Sequence, residues 1–416
     1  MESKGKFKGN IVIGQSGGPT AVINATVAGV YTAAKEEGVE KVYGMVHGVE
    51  GFLKKDLIGL EEYLDTGLGI ELLKRTPSAF LGSCRFKLPA AEAKPEIYEK
   101  IFSVMEEFNI TAFFYIGGND SMDTVKQLTD YAAANGKKQV FIGLPKTVDN
   151  DLPVTDHCPG FGSAAKYIAT SFKEIIRDAQ SNSPSKPTII LVETMGRHTG
   201  WLTAAAALAA GEDCEGADAI YLPEKVFDIE AFINHVEEVA KRKHTVVIAV
   251  SEGAKVADGR FVCELGGGSG NVDAFGHTQL SGCAHTLSDM IVERFGYKTR
   301  VIELSTLQRA ASHIASLTDI EESYLAGCFG MKAAARGETG LMVILERVQN
   351  NPYLCRMNYY DVHQIANVEK TVPLEWIKED GISMTDEFLE YARPLIMGEL
   401  LPLFVHGLPS HLVRKK

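Results

Sequence analysis

"NIVIGQSGGPTAVINATVAGVYTAAKEEG", residues 10–38, passes from an apolar run through paired glycines into a helical pattern that stops on glycine. Ile11, Val12 and Ile13 are apolar at successive positions, as in a strand covered on both faces. Gly17 and Gly18 make the turn, and apolar residues then recur at helical spacing as far as Gly38. The same order returns along the chain. "KVYGMVHG" (41–48) and "TAFFYIGG" (111–118) read as strands, and "SMDTVKQLTDYAAANG" (121–136) as a helix closed by Asn-Gly. "QVFIGLP" (139–145) is a further strand, and "SAAKYIATSFKEIIRDAQ" (163–180) sets Ala165, Ile168, Phe172, Ile176 and Ala179 on one helical face. "PTIILVETMG" (187–196) and "TVVIAVSEG" (245–253) read as buried strands. This alternation predicts an α/β chain with mostly parallel sheets under helices, the doubly wound class. Ligands of such sheets bind beyond the carboxyl ends of the strands.

The chain has 416 residues, 45% hydrophobic and 23% charged, with a net charge of −12. That length suggests two or three domains. An acidic balance without Lys/Arg blocks argues against nucleic acid and against anionic membrane, while leaving small anions open. "MESKGKFKGN" has no apolar core of a signal peptide, and no run reaches the roughly 18 apolar residues of a membrane span. "WLTAAAALAAG" (201–211) is apolar but short, so it reads as a packed helix. Seven cysteines without C-x-x-C spacing indicate a reducing, cytoplasmic setting and no zinc site. Cys84 adjoins Arg85, but inert packing is the better reading for it. "ELGGGSGNVDAFGH" (264–277) is expected to form a flexible loop near the site.

The polar stretches at the strand ends carry the chemistry. In "GQSGGPT" (14–20), Gly17 and Gly18 free their N–H groups to approach an anion, helped by the positive end of the following helix. "YIGGNDSMDT" (115–124) repeats the arrangement at Gly118, with Asn119, Asp120 and Ser121 as either helix caps or ligand contacts. "LPKTVDNDLP" (144–153) places Lys146 and the carboxylates Asp149 and Asp151 on one segment after a strand. Isolated, that is a solvated turn. "VETMGRHTG" (192–200) ends another strand with Gly196-Arg197, a fixed fork for phosphate oxygens or a surface ion pair. "AVSEGAK" (249–255) ends a fourth with Glu252, suited to sugar hydroxyls or to capping. Arg85, Arg300 and Arg309 add cations. Together these suit phosphoryl transfer, in which cations neutralise phosphate and a carboxylate takes the proton of the attacking hydroxyl. Asp149 then reads as the base, Asp151 as orienting it or a metal, and Lys146 as reaching phosphate.

Over nearly its whole length the chain resembles the phosphofructokinase family. "SGGPTAVIN", "LGSCR", "GGNDS", "KTVDND", "VETMGR", "SEG" and the pair Arg300/Arg309 carry the resemblance as an ordered set. It implies phosphorylation of the 1-hydroxyl of fructose 6-phosphate in a cleft between two Rossmann-like domains. The donor domain would span 1–160, completed by part of 310–358. The sugar-phosphate domain would span 161–309, completed by 359–416. The resemblance makes Asp149 the catalytic base and Asp151 its companion, and sets Thr147 at the sugar hydroxyl and the transferring phosphoryl. It further assigns Met195, Gly196, Arg197 and Glu252 to the sugar, Arg85 to the donor phosphates, and Arg300 and Arg309 to the sugar 6-phosphate. It also implies Mg²⁺ and a homo-oligomer, dimer or tetramer.

Departures from the family pattern point to the donor. ATP-using members carry glycine where this chain has Asp120 and Lys146, the pair seen in pyrophosphate-dependent members. A carboxylate about 5 Å from a nucleotide α-phosphate costs about 3 kcal/mol at an effective dielectric near 20, roughly a hundredfold in affinity. Lys146 neutralises free pyrophosphate instead. The reading is therefore pyrophosphate as donor, with fructose 1,6-bisphosphate and phosphate as products. Asn119 stands where ATP enzymes have a metal-binding Asp, leaving Asn119 and Asp120 as the metal candidates. Ala28 and Thr32 replace effector-binding arginines of allosteric members, which fits a nonregulated enzyme. The alternatives are an ATP-dependent phosphofructokinase, which Asp120 and Lys146 oppose, a sedoheptulose 7-phosphate kinase, and a regulatory subunit. The last would have lost groups that Asp149, Arg197 and Arg85 still supply.

Overall fold

The structure, a computed structural model, describes residues 7–181, 186–266, 280 and 282–415. The Gly-rich loop expected at 264–277 lies almost wholly outside these described residues. Strands β1 (Asn10–Gln15), β2 (Val42–Met45), β3 (Leu57–Gly59), β4 (Ile110–Gly117) and β5 (Val140–Pro145) come first. Next are β6 (Thr188–Thr194), β7 (Ala219–Tyr221), β8 (Thr245–Ser251) and β9 (Lys298–Glu303), followed by β10 (Leu341–Gln349) and β11 (Leu354–Asp361). They form a sheet in the order β11-β10-β5-β4-β1-β2-β3 and a second in the order β7-β8-β6-β9. The hairpins β2–β3 and β10–β11 are antiparallel, and the other pairs are parallel.

Both faces of the first sheet are covered, which explains its unbroken apolar strands. Ile11 and Ile13 face helices Ile23–Glu36 and Leu317–Ala335, while Val12 faces helices Pro95–Glu107 and Asn119–Ala134. The first two helices touch backbone to backbone. A Cβ at Gly29 would collide with the Tyr324 carbonyl, and one at Gly327 with the Thr26 carbonyl. Ala28 is fully buried in this packing, and Thr32 Oγ1 turns back to the Ala28 carbonyl. The second sheet is likewise sandwiched. Helices Ile229–Arg242 and Cys283–Phe295 cover one face, and Phe161–Gln180 covers the other.

Several expectations change in detail. "KVYGMVHG" stops being a strand at Met45, because His47 takes a left-handed backbone, φ 61°, that opens helix Gly48–Leu53. The alanine-rich run divides into a short α-helix, Trp201–Ala204, and a 3₁₀ turn, Ala205–Ala209. The C-terminal segment assigned to the second domain is shared. Pairing with β10 keeps β11 in the first sheet as far as Asp361, and Val362 and Ile365 pack in the first domain's core. Val372 and Phe388 to Leu395 do join the second domain's core. The chain then returns, with Leu401 O accepting from Arg75 Nε at 3.0 Å and Leu412 N donating to Thr76 Oγ1 at 2.8 Å.

In the first sheet β1 lies between β2 and β4, so the connections leave it in opposite directions. The switch point therefore falls between β1 and β4. Gly17-Gly18 follow one of these strands and Gly118 the other. The carboxyl ends of β6, β8 and β9 face the same opening from the second sheet.

Candidate active site

A cavity of about 600 Å³ lies between the carboxyl ends of the two sheets. From the first domain and the loop after β5 it is lined by Gly18, Arg85, Lys146, Thr147, Asp149 and Asp151. From the second come Met195, Arg197, Glu252 and Arg309. Hence the motifs separated in sequence do share one volume.

The loop after β5 is held by its own side chains and by distant ones. Lys146 N donates to Gly117 O at 3.0 Å, and Thr147 N to Pro159 O at 3.2 Å. Asp149 N donates to Thr147 Oγ1 at 3.1 Å, and Thr199 Oγ1 to the Asp149 carbonyl at 3.1 Å. Between the two aspartates Asn150 adopts φ 55°, a conformation asparagine tolerates better than most residues. Its Oδ1 accepts from Cys158 N at 2.9 Å and its Nδ2 donates to Tyr391 Oη at 2.7 Å. The "D-N-D" is thus a fully buried asparagine pin flanked by two acids, not a solvated turn.

Lys146 is only 3% exposed, and its Nζ donates to Gly18 O at 2.6 Å. Burial lowers its pKa to about 8, against the opposing pull of Asp149 and Asp151. Arg309 and Arg85 lower it further. Burial, then the neighbouring Asp151, raises Asp149 to about 7, with Lys146 and Arg309 pulling it down. Burial also raises Asp151. Across the cavity, burial raises Glu252 to about 7, and its Oε1 accepts from Gly196 N at 3.3 Å. Glu252 therefore braces the turn after β6 rather than capping a helix. The site is a half-buried cluster of opposed charges, where proton transfer near neutral pH is within reach.

The end of the cavity beside the paired glycines is organised around Lys146. A Cβ on Gly17 would lie 3.4 Å from its Nζ, and one on Gly118 lies 3.7 Å from its carbonyl. Gly118 is the N-cap of helix Asn119–Ala134, and no side chain caps that helix, so the capping alternative for Asn119, Asp120 and Ser121 falls away. These three occupy the first turn beside the cavity and are not part of its wall. Buried Asn119 Oδ1 and Asp151 Oδ1 have no hydrogen-bond partner. Orphaned carbonyl and carboxylate oxygens are the donors a hard cation takes, so this end of the site fits Mg²⁺.

Arg309 and Arg300 separate. The Arg309 guanidinium lies 3.0 Å from the Cβ that Gly18 would carry, so it sits against the Gly17-Gly18 turn. Arg300, read as a 6-phosphate contact, is exposed on β9 with Nη1 3.6 Å from Asp178, outside the cavity wall. The cause is register, since Arg300 opposes Ile190 in mid-strand rather than at the strand's carboxyl end. Cys84 is buried with Sγ 3.7 Å from Tyr115 Oη, which is packing. Sequence reasoning missed Gln308, whose Oε1 accepts from Met195 N at 3.2 Å, and Glu193, Glu303 and Glu369 in the cavity wall. Gln308 adjoins Arg309 and was within sight of the motif; Glu369 has no local signal at all.

Comparison with known proteins agrees with this geometry. The family model described as phosphofructokinase matches residues 10–335. A protein of Methylococcus capsulatus named pyrophosphate–fructose 6-phosphate 1-phosphotransferase is 42% identical over 97% of this chain and 95% of its own. One of the same name from Halomonas elongata is 41% identical over 96% and 95%. The crystal structure of a pyrophosphate-dependent phosphofructokinase from Nitrosospira multiformis superposes with a TM-score of 0.87 at 38% identity, covering 98% of each chain. With its paired α/β domains and the cleft between them, the chain belongs to the phosphofructokinase family.

Proposed function

We propose that the protein reversibly transfers a phosphoryl group from pyrophosphate to the 1-hydroxyl of fructose 6-phosphate, giving fructose 1,6-bisphosphate and phosphate. The observation that carries the donor choice is Lys146, buried, bonded to the Gly18 carbonyl and beside Arg85, Arg309 and Asp149. A compact cation cluster of this kind suits a small, highly charged donor. The names of the relatives agree with that reading. Met195, Arg197 and Glu252 supply the opposite wall, where the sugar would lie. Ionised Asp149 takes the proton as the hydroxyl oxygen bonds to phosphorus, the bridging P–O bond breaks, and phosphate leaves. Lys146, Arg85 and Arg309 offset charge on the phosphate oxygens. Asn119 and Asp151, with Asp120 beside them, would hold Mg²⁺, which when bound supplies further neutralisation of the phosphates. Buried Ala28 supports an enzyme without an effector site on that helix. A cytoplasmic homo-oligomer completes the reading; no helix among the described residues is long and apolar enough to cross a membrane.

The deciding experiment measures product formation with pyrophosphate or ATP, fructose 6-phosphate or sedoheptulose 7-phosphate, and Mg²⁺. Preference for pyrophosphate and fructose 6-phosphate is expected, and a preference for ATP would refute the donor assignment. Asp149→Ala should lower kcat by roughly a hundredfold or more. Near-normal kcat in that variant would remove Asp149 from the role of base.

A further inference from the structure

The segment after β11 crosses back over the catalytic loop, and nothing in its sequence, "NVEKTVP" (367–373), announces a role. Lys370 is its centre. The Lys370 backbone N donates to the Asp151 carbonyl at 2.7 Å. Its Nζ donates to the carbonyls of Thr155 at 3.1 Å and Asp156 at 2.8 Å. Its own carbonyl accepts from Trp201 Nε1 at 3.1 Å, and Nζ stands 5.3 Å from the Trp201 ring centroid. One residue thus fastens both ends of the stretch 151–156 and ties it to the helix that follows the Arg197 turn. Two residues on, Val372 N donates to Glu224 Oε1 at 3.0 Å, the same oxygen that accepts from Gly200 N at 2.8 Å. On the other side Glu369 is exposed and lines the cavity.

A buried ammonium satisfied by carbonyls and an aromatic face is costly to keep in a fold unless it holds something in place. What it holds is the backbone that carries the proposed base and its companion. We infer that the strap 369–372 is a working part of the reaction site, with Lys370 a positioning residue for the Asp149–Asp151 backbone and Glu369 a third carboxylate that the pair faces. The inference rests on the phosphoryl-transfer reading given above. Asp149, Asp151, Lys146, Arg309 and Glu369 line one cavity, so the two aspartates share it with a third carboxylate and two cations. Asp151 and Lys370 also attract each other.

Steady-state kinetics of Lys370→Met, Lys370→Arg and Glu369→Gln with pyrophosphate and fructose 6-phosphate test it. A loosened loop misplaces the base, so Lys370→Met should lower kcat roughly a hundredfold while KM for fructose 6-phosphate stays within about threefold. Lys370→Arg keeps charge and donors and should recover most of that loss. Glu369→Gln keeps the size and removes the charge of a cavity-wall carboxylate, so it should lower kcat severalfold. A Lys370→Met protein with near-normal kcat overturns the inference, as does a slow one whose KM for fructose 6-phosphate rises in proportion or whose loss Lys370→Arg does not recover. Should Lys370→Met not fold, wild-type kcat and KM in Glu369→Gln, at an exposed position, overturn it alone. Wild-type protein inert with every donor would instead refute the phosphoryl-transfer reading itself.

Discussion

Burial draws Lys146 down to about 8 and Asp149 up to about 7, so the two proton affinities nearly meet. In the proposed reaction Asp149 must be ionised to accept a proton, and Lys146 charged to hold phosphate. In the free enzyme kcat/KM should therefore rise as pH passes about 7 and fall as it passes about 8, a narrow bell read from initial rates. A profile flat through the upper limb would show that the Lys146 charge is not used. Donor choice belongs to the same scale. Asp120→Gly removes a carboxylate that would oppose a nucleotide α-phosphate, and Lys146→Gly removes a charge that free pyrophosphate needs. ATP use should rise in the first variant and pyrophosphate use fall in the second. The double variant should shift the ratio of kcat/KM values further than either, and a ratio unchanged across all four proteins would dismiss the pair. Asp149, Lys146 and Arg197 were legible because short motifs at strand ends announce them. Asn150 was passed over between two acids, although asparagine is the residue type such a backbone favours. Lys370 was illegible, because its partners lie in the 151–156 loop and at Trp201, far off in sequence.

Helices Ile23–Glu36 and Leu317–Ala335 pack on one another through Gly29 and Gly327. In Gly327→Ala the new methyl group meets a backbone carbonyl that cannot rotate away, so the helices must separate. Denaturant unfolding should show a loss of about 1–3 kcal/mol, typical of overpacking. A gain in stability, as alanine gives in an unobstructed helix, would contradict the close contact. The alternation of strand and helix was readable because central strands such as β1, β4, β6 and β8 are apolar on both faces and helices such as Phe161–Gln180 on one. Boundaries set by backbone conformation were not, as at His47, where a left-handed residue ends an apolar run early. Nor did local patterning reveal that the antiparallel β10–β11 hairpin would extend the first sheet to Asp361, since that depends on pairing between distant segments.

At the scale of the whole molecule, segments of the first domain far apart in sequence are stitched by buried charge. His157 Nδ1 lies 2.7 Å from Asp156 Oδ2 and Nε2 lies 2.6 Å from Glu322 Oε2, while Arg347 reaches Asp156 at 2.9 Å. Burial disfavours the imidazolium, but Glu322 and Asp156 outweigh it and raise His157 to about 9. A folded-state pKa above the unfolded value stabilises most below the unfolded pKa and loses that contribution as pH rises through about 9. Thermal midpoints of the wild type should fall over that interval. His157→Gln, which cannot charge, should be less stable at neutral pH by about 3–5 kcal/mol, the usual cost of unpairing a buried ion, and should lack that slope. A wild-type midpoint independent of pH there would show the network to be uncharged. The chain passes between the domains after β5, again after Arg309, again around residue 370, and once more before its last residues return to Arg75 and Thr76. That interleaving bears on descent and on engineering. Neither half is a contiguous stretch of gene, so no single recombination event can graft a new donor half onto an old sugar half. Specificity in such a chain is left to drift by single-codon changes around the cleft, and a designer of new specificities faces the same restriction.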